Sequence, residues 1–228
     1  MLEQRSTQGE LMDDPALDAA TYTEVLHDLA QVNTVTLARR PTLDFLRRAV
    51  GGRKSFRCLD VGFGDGDMLR AIRSWADRRG IEAELVGVDL NSRSVAAARE
   101  RTPSTMRIDY RTGDYAGLAS EGWDCVVSSL VAHHMTRDQL VQFLRFMDRE
   151  ARRGWFVNDL RRSLFAWLGY PLLARVMNWH PIVRHDGRLS IARSYRREEW
   201  APILASASIE GAEVKRVFPF RLCVETIR

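Results

Sequence analysis

Between Arg57 and Ile72 the chain reads RCLDVGFGDGDMLRAI, with three glycines at alternate positions between a short apolar run and a helix-like run. CLDVG has strand character, and DMLRAIRSWADRRG repeats apolar residues at helical spacing through Met68, Leu69, Ile72, Trp75 and Ala76. A strand, a glycine turn and a helix open a βαβ unit. Glycine there lets the backbone turn sharply and lets a ligand approach with no Cβ in the way. The alternation continues along the chain. Strands are expected at 57–61, 83–88, 106–111, 123–135 and 154–160, and helices at 66–79, 92–101 and 136–152. The last helix opens on a capping box, Thr136 with Gln139. Residues 16–50 read as two helices, and AEVKRVFPFRLCVETI as two strand-like runs around Pro219. Alternating β and α implies an α/β domain with a doubly wound, mainly parallel sheet and a ligand beyond the carboxyl ends of its strands.

The charge around the turn narrows the ligand. A dinucleotide fingerprint, G-x-G-x-x-G, sets a pyrophosphate on the helix N-terminus. Here the spacing Gly62-x-Gly64-x-Gly66 is one residue short, and Asp65 and Asp67 stand at the helix start. Carboxylates there oppose the phosphate that the helix dipole favours. A nucleoside with a cationic centre and no phosphate fits better. S-adenosylmethionine has a sulfonium, an amino group, an adenosine and a single carboxylate. Asp89, at the end of AELVGVDL, stands where one carboxylate can accept hydrogen bonds from both ribose hydroxyls.

With LDVGFGDG, VGVDLN and RTGDYAGL in order between Leu59 and Leu118, the chain resembles the class I S-adenosylmethionine-dependent methyltransferases. That resemblance implies a Rossmann-like sheet of seven strands closed by an antiparallel C-terminal hairpin. It implies that Asp60 approaches the methionyl amino group and that Gly62, Gly64 and Gly66 form the cofactor turn. It places Asp89 and Leu90 at the ribose, Asp114 and Tyr115 beside the adenine, and Ser129 in the same cofactor-binding set. ELMDDPALD, VVSSLVAHHM, VNDLRRS and VRHDGRLS together resemble a bacterial subfamily of small-molecule methyltransferases linked with polyketide and quinone-like products.

Two units are expected, an N-terminal helical segment (1–50) and the methyltransferase domain (51–228). Residues 160–200 are long for a connection and rich in aromatics (Phe165, Trp167, Tyr170, Trp179, Trp200), which suits a lid over an apolar substrate pocket. An oxygen acceptor must lose a proton, and histidine has a reference pKa suited to that task. His133 and His134 follow the fourth strand at the substrate edge, and His185 has Asp186 beside it to orient its ring. These three are the catalytic candidates, against structural roles in the same loops. Asn158 and Asp159 either meet substrate hydroxyls or cap the next helix. Arg161 and Arg162 are expected in solvent, with neutralisation of an acidic substrate the alternative, and Arg39 and Arg40 reach the donor's carboxylate only if the N-terminal helices fold over the site.

Composition removes several alternatives. No apolar run approaches the ~20 residues of a membrane span, and the polar N-terminus has no signal-peptide core. Cys58, Cys125 and Cys223 lie in strand-like runs with no CxxC spacing, so reduced buried thiols, no metal and a cytoplasmic location are expected. The pI is near 9.2, but the net charge is only +4 and the basic residues are scattered pairs, with Lys54 and Lys215 the only lysines. An RNA partner is therefore not expected. The reading is an S-adenosylmethionine-dependent methyltransferase acting on a small phenolic or polyketide/quinone-like molecule, at oxygen. Transfer to carbon or nitrogen, an RNA acceptor, and a non-catalytic cofactor-binding module are the alternatives these residues leave.

Overall fold

The computed structural model describes residues 2–228. Two helices, α1 (Ala19–Val35) and α2 (Arg39–Val50), precede the sheet. Asp18 caps α1 by accepting from Thr21 N at 2.9 Å. The alternating part follows: β1 (Ser55–Val61), α3 (Asp67–Asp77), β2 (Glu82–Asp89), α4 (Ser92–Glu100), β3 (Ile108–Thr112), β4 (Cys125–Ser129), α5 (Arg137–Glu150) and β5 (Gly154–Leu160). Then come α6 (Leu164–Val176), α7 (Pro181–Arg193) and α8 (Arg197–Ala207), and the hairpin β6 (Glu213–Val217) and β7 (Arg221–Ile227).

The seven strands run β3-β2-β1-β4-β5-β7-β6. β1 to β5 are parallel, and β7 lies antiparallel between β5 and β6. Strand order reverses between β1 and β4, which opens a crevice at their carboxyl ends. The continuous apolar runs of the central strands follow from burial on both faces. Cys58 and Val127 face a core with Phe45, Ile72, Trp75 and Phe156, whereas Leu59 and Val126 face a second core with Trp123, Phe143, Trp155 and Trp200. The three cysteines are free and buried.

The capping box opens α5, with Gln139 Oε1 accepting from Thr136 N at 2.9 Å and Thr136 Oγ1 accepting from Gln139 N at 3.3 Å. One expected strand is too long. The apolar run from Trp123 suggests extended chain to Met135, but β4 ends at Ser129. Leu130 has a positive φ of 63°, and Ala132–His134 form a single 3-10 turn that folds across the strand ends. The segment 160–200 is helical, forming α6, α7 and the start of α8; α7 packs on α1 and on a single turn at Leu11–Asp13. Among the described residues no helix is long and apolar enough to cross a membrane.

Candidate active site

A cavity of about 480 Å³ lies over the carboxyl ends of β1, β2, β4 and β5, within the range typical of small-molecule sites. Its floor is the glycine turn. Gly62 and Gly64 line it; Gly66 does not, because its α-carbon lies against the Tyr110 ring and a Cβ there would strike that ring. Gly64 has φ +55°, and the nearest atom to a Cβ built on it is Leu26 Cδ2 at 3.7 Å. Of the three turn glycines, Gly64 is the one where an added side chain has room at the cavity floor. Asp65, expected to repel a phosphate, is already neutralised by Arg70 at 3.1 Å and Arg101 at 2.9 Å. The other carboxylates at this end are Asp60, Asp67 and Asp89.

Those three carboxylates line the cavity together. Asp60 is 1% exposed, and neither of its oxygens has a hydrogen-bond partner among the described residues. Burial, reinforced by Asp67 and Asp89, raises its pKa to about 8. Burial and Asp65 also raise Asp67, against Arg39 at 3.8 Å and Asn33 Nδ2, which donates to it at 3.3 Å. Asp89 accepts from Gly64 N at 3.0 Å and Asn91 N at 2.8 Å, so it holds the turn while keeping lone pairs free; burial raises its pKa too. Ser129 Oγ is buried without a partner among the described residues. Leu90, largely exposed, and Tyr115, packed on Phe143 and Phe146 at 4.9 and 4.8 Å, complete this end. Asp114 differs from the expectation: it is exposed, lies outside the cavity lining, and accepts from Ala116 N at 2.8 Å.

The other end is assembled from distant segments. His133 and His134 both line it. Buried His133 is held by Asp159, whose Oδ1 lies 2.7 Å from Nδ1 and whose Oδ2 accepts from His133 N at 2.8 Å. Burial alone lowers this histidine's pKa, but Asp159 and Glu10 outweigh it and raise it to about 9. Asp159 is thus neither a helix cap nor a substrate ligand; it orients His133. Asn158 ties β5 to α2, donating to Ala38 O at 2.7 Å. Arg162 is buried against Ser194 O and Glu199 rather than in solvent. His185 pairs with Asp186 at 2.8 Å but its side chain is 46% exposed and outside the lining. Asp186 is engaged with Leu11 N and Met12 N, which donate to it at 3.0 and 2.9 Å. Asp186 therefore anchors the N-terminal segment, and His185 lies outside the cavity lining.

The roof also departs from the expected lid. α7 supplies Gly187, Ser190 and Ile191 and α6 only Tyr170, while α1 supplies Tyr22, Leu26, Leu29, Ala30, Val32 and Asn33. Glu10, Met12 and Asp13 close the rim. Two charged residues here escape sequence reasoning. Glu10 is buried against His133, His134, Ser190 and Arg193. Arg221, in the cavity wall, is 2% exposed, donates to Thr36 Oγ1 at 3.3 Å and leaves Nη1 without a partner among the described residues. A charge in an otherwise ordinary polar or strand segment was the only available signal for either.

Residues 58–154 match the family model described as a methyltransferase domain. No curated protein matches the sequence. Among solved structures, the chain is similar to the plantazolicin methyltransferase BamL in complex with a triazolic desmethylPZN analog and SAH (TM-score 0.64, 14% identity, 86% of this chain and 71% of that one). It is also similar to magnesium protoporphyrin IX methyltransferase (ChlM) from Synechocystis PCC 6803 with bound SAH (0.57, 18%, 94% and 90%). A third is human N-acetylserotonin methyltransferase in complex with SAM (0.64, 14%, 92% and 56%). At such identities these neighbours speak for the fold, and their names cover chemically unlike molecules. With the domain match running from β1 into β5, on this sheet and with the three motifs in order, the chain carries a methyltransferase domain similar to the class I S-adenosylmethionine-dependent methyltransferases.

Proposed function

We propose that the cavity binds S-adenosylmethionine over the glycine turn and that the chain methylates an oxygen of a small phenolic or polyketide/quinone-like acceptor. The observation that carries the donor half is Asp60. A buried carboxylate without a partner is costly unless a ligand supplies one, and the methionyl ammonium is such a partner. Asp89 has lone pairs left for a ribose diol. Ser129 and Tyr115 border the same end.

Bound there, S-adenosylmethionine supplies a methyl group that bonds to the acceptor oxygen as its bond to sulfur breaks, leaving S-adenosylhomocysteine. The chain's own task is to align the acceptor and exclude water. Met12, Leu29, Val32 and Ile191 provide apolar walls for an aromatic acceptor, and the N-terminal segment and α1 line the cavity opposite the strand ends. An acceptor hydroxyl must also shed its proton. The Glu10–His133–His134 cluster, with Asp159 on His133 Nδ1, is the group placed to take it.

The donor half is tested by calorimetric titration with S-adenosylhomocysteine. Asp89→Ala is expected to weaken binding by about 1.5–3 kcal/mol, the range for a hydrogen bond to a charged group. Unchanged affinity in a folded variant contradicts the assignment.

A further inference from the structure

At the acceptor end, Glu10, His133 and His134 each bring one atom of metal-ligating type into a cluster whose members lie within 4.8 Å of one another. His133 Nε2 is 3.6 Å from Glu10 Oε1, and His134 Nε2 is 3.7 Å from Glu10 Oε2. Nitrogen and oxygen ligands sit about 2.0–2.1 Å from a zinc-like cation, which sets neighbouring ligands roughly 3–3.5 Å apart. The two pairs with Glu10 need only a small contraction to meet that spacing.

The remaining nitrogen of each imidazole gives an independent observation. His133 Nδ1 is 2.7 Å from Asp159 Oδ1, and His134 Nδ1 is 3.3 Å from Asp13 Oδ2. A carboxylate on Nδ1 holds the proton there and leaves Nε2 as the ligating lone pair, the arrangement that accompanies metal-bound histidine. Both histidines have it, from two different segments. Ser190 Oγ donates to Glu10 Oε1 at 2.9 Å and Arg193 Nη1 lies 3.6 Å from the same oxygen, so Oε2 is the freer of the two. All three ligands line the cavity, which leaves a further position open towards the acceptor.

We propose that Glu10, His133 and His134 form a site for a first-row divalent cation of zinc-like ligand preference, open to the methyl acceptor. Its role rests on the methyltransferase reading: a cation there polarises an acceptor hydroxyl and eases loss of its proton. Because Glu10 belongs to the N-terminal segment, the cation also fastens that segment across the cavity.

The test uses the whole protein, stripped with a chelator and titrated with Co²⁺, followed by visible absorption, and with Zn²⁺ by calorimetry. S-adenosylhomocysteine is titrated in parallel. One Co²⁺ per chain is expected, with affinity lowered about 100-fold or more in Glu10→Gln and His134→Gln and about 10–100-fold in Asp13→Asn. Asp13 is half-exposed, so Asp13→Asn is expected to keep its circular dichroism and its S-adenosylhomocysteine affinity. Absence of stoichiometric Co²⁺ binding by the wild type, or wild-type affinity in Glu10→Gln, overturns the site. S-adenosylhomocysteine binding without Co²⁺ binding removes the cation and leaves the methyltransferase reading; the converse removes the reading and leaves the site.

Discussion

The two ends of the cavity are built in opposite ways. The donor end comes from nearly contiguous chain: Asp60, Gly64 and Asp89 sit at the ends of neighbouring parallel strands, and Asp89 holds Gly64 N directly. The acceptor end joins Glu10 near the N-terminus, the His133–His134 turn, Asp159 near the end of β5, and Ser190 and Arg193 on α7. The donor end thus rests on the strand ends and the turn between them, with α1 lying over it. The acceptor end exists only while the N-terminal segment is docked. A substitution at the first should act on cofactor affinity with the fold intact, and one at the second on turnover with cofactor affinity intact.

The largest effect is expected for Gly64→Val, which forces a branched side chain into a positive-φ position facing the cavity. S-adenosylhomocysteine binding should be lost while circular dichroism is unchanged; wild-type affinity would show that the turn does not touch the cofactor. Next come His133→Gln and His134→Gln, measured as single-turnover methylation of an identified acceptor. Rates should fall on the order of 10²–10⁴-fold with donor affinity preserved, and alkaline pH should restore part of the loss. Near-wild-type rates at pH 7 in both would break the division between the two ends.

A stability measurement sharpens it further. Asp60 holds its proton in the folded protein up to about pH 8, whereas an exposed aspartate releases it near 3.9. Between those values the folded state binds more protons than the unfolded state, so stability falls as pH rises. Asp60→Asn removes that slope. Without cofactor it should be the more stable protein at pH 8, on the order of a few kcal/mol, yet the weaker binder. Parallel pH–stability curves from denaturant unfolding would contradict the buried, unpaired state of Asp60. The smallest effect is expected for Asp114→Ala. Its carboxylate caps its own turn outside the cavity lining, so affinity should change by less than about tenfold, the worth of one ordinary hydrogen bond. A larger loss would bring Asp114 into the donor end.

What was legible in the sequence divides along the same line. Strand, glycine turn, helix and the acid at Asp89 are local patterns with periods of two and 3.6, so the donor end and the sheet could be read directly. The break at Leu130 could not, because nothing in an apolar run marks a positive φ at a leucine. Glu10 could not either: a glutamate in a polar stretch reads as solvated until the chain places it beside His133 and His134, more than a hundred residues away. His185–Asp186 misled for the converse reason. Adjacency in sequence put an acid beside a histidine, but on α7 the acid is spent on Leu11 N and Met12 N.

The most direct test is whether Asp60 receives the cofactor's ammonium. S-adenosylhomocysteine is titrated into the wild type and Asp60→Asn at pH 7, in buffers of low and high ionisation enthalpy. Asp60, protonated in the empty cavity at that pH, should ionise when the ammonium arrives and release about one proton per ligand. Wild-type binding should therefore be more exothermic in the buffer that gives out more heat on taking up that proton, and Asp60→Asn should bind more weakly with the buffer dependence gone. Tight binding with no buffer dependence, or the same proton release from Asp60→Asn, would contradict the assignment.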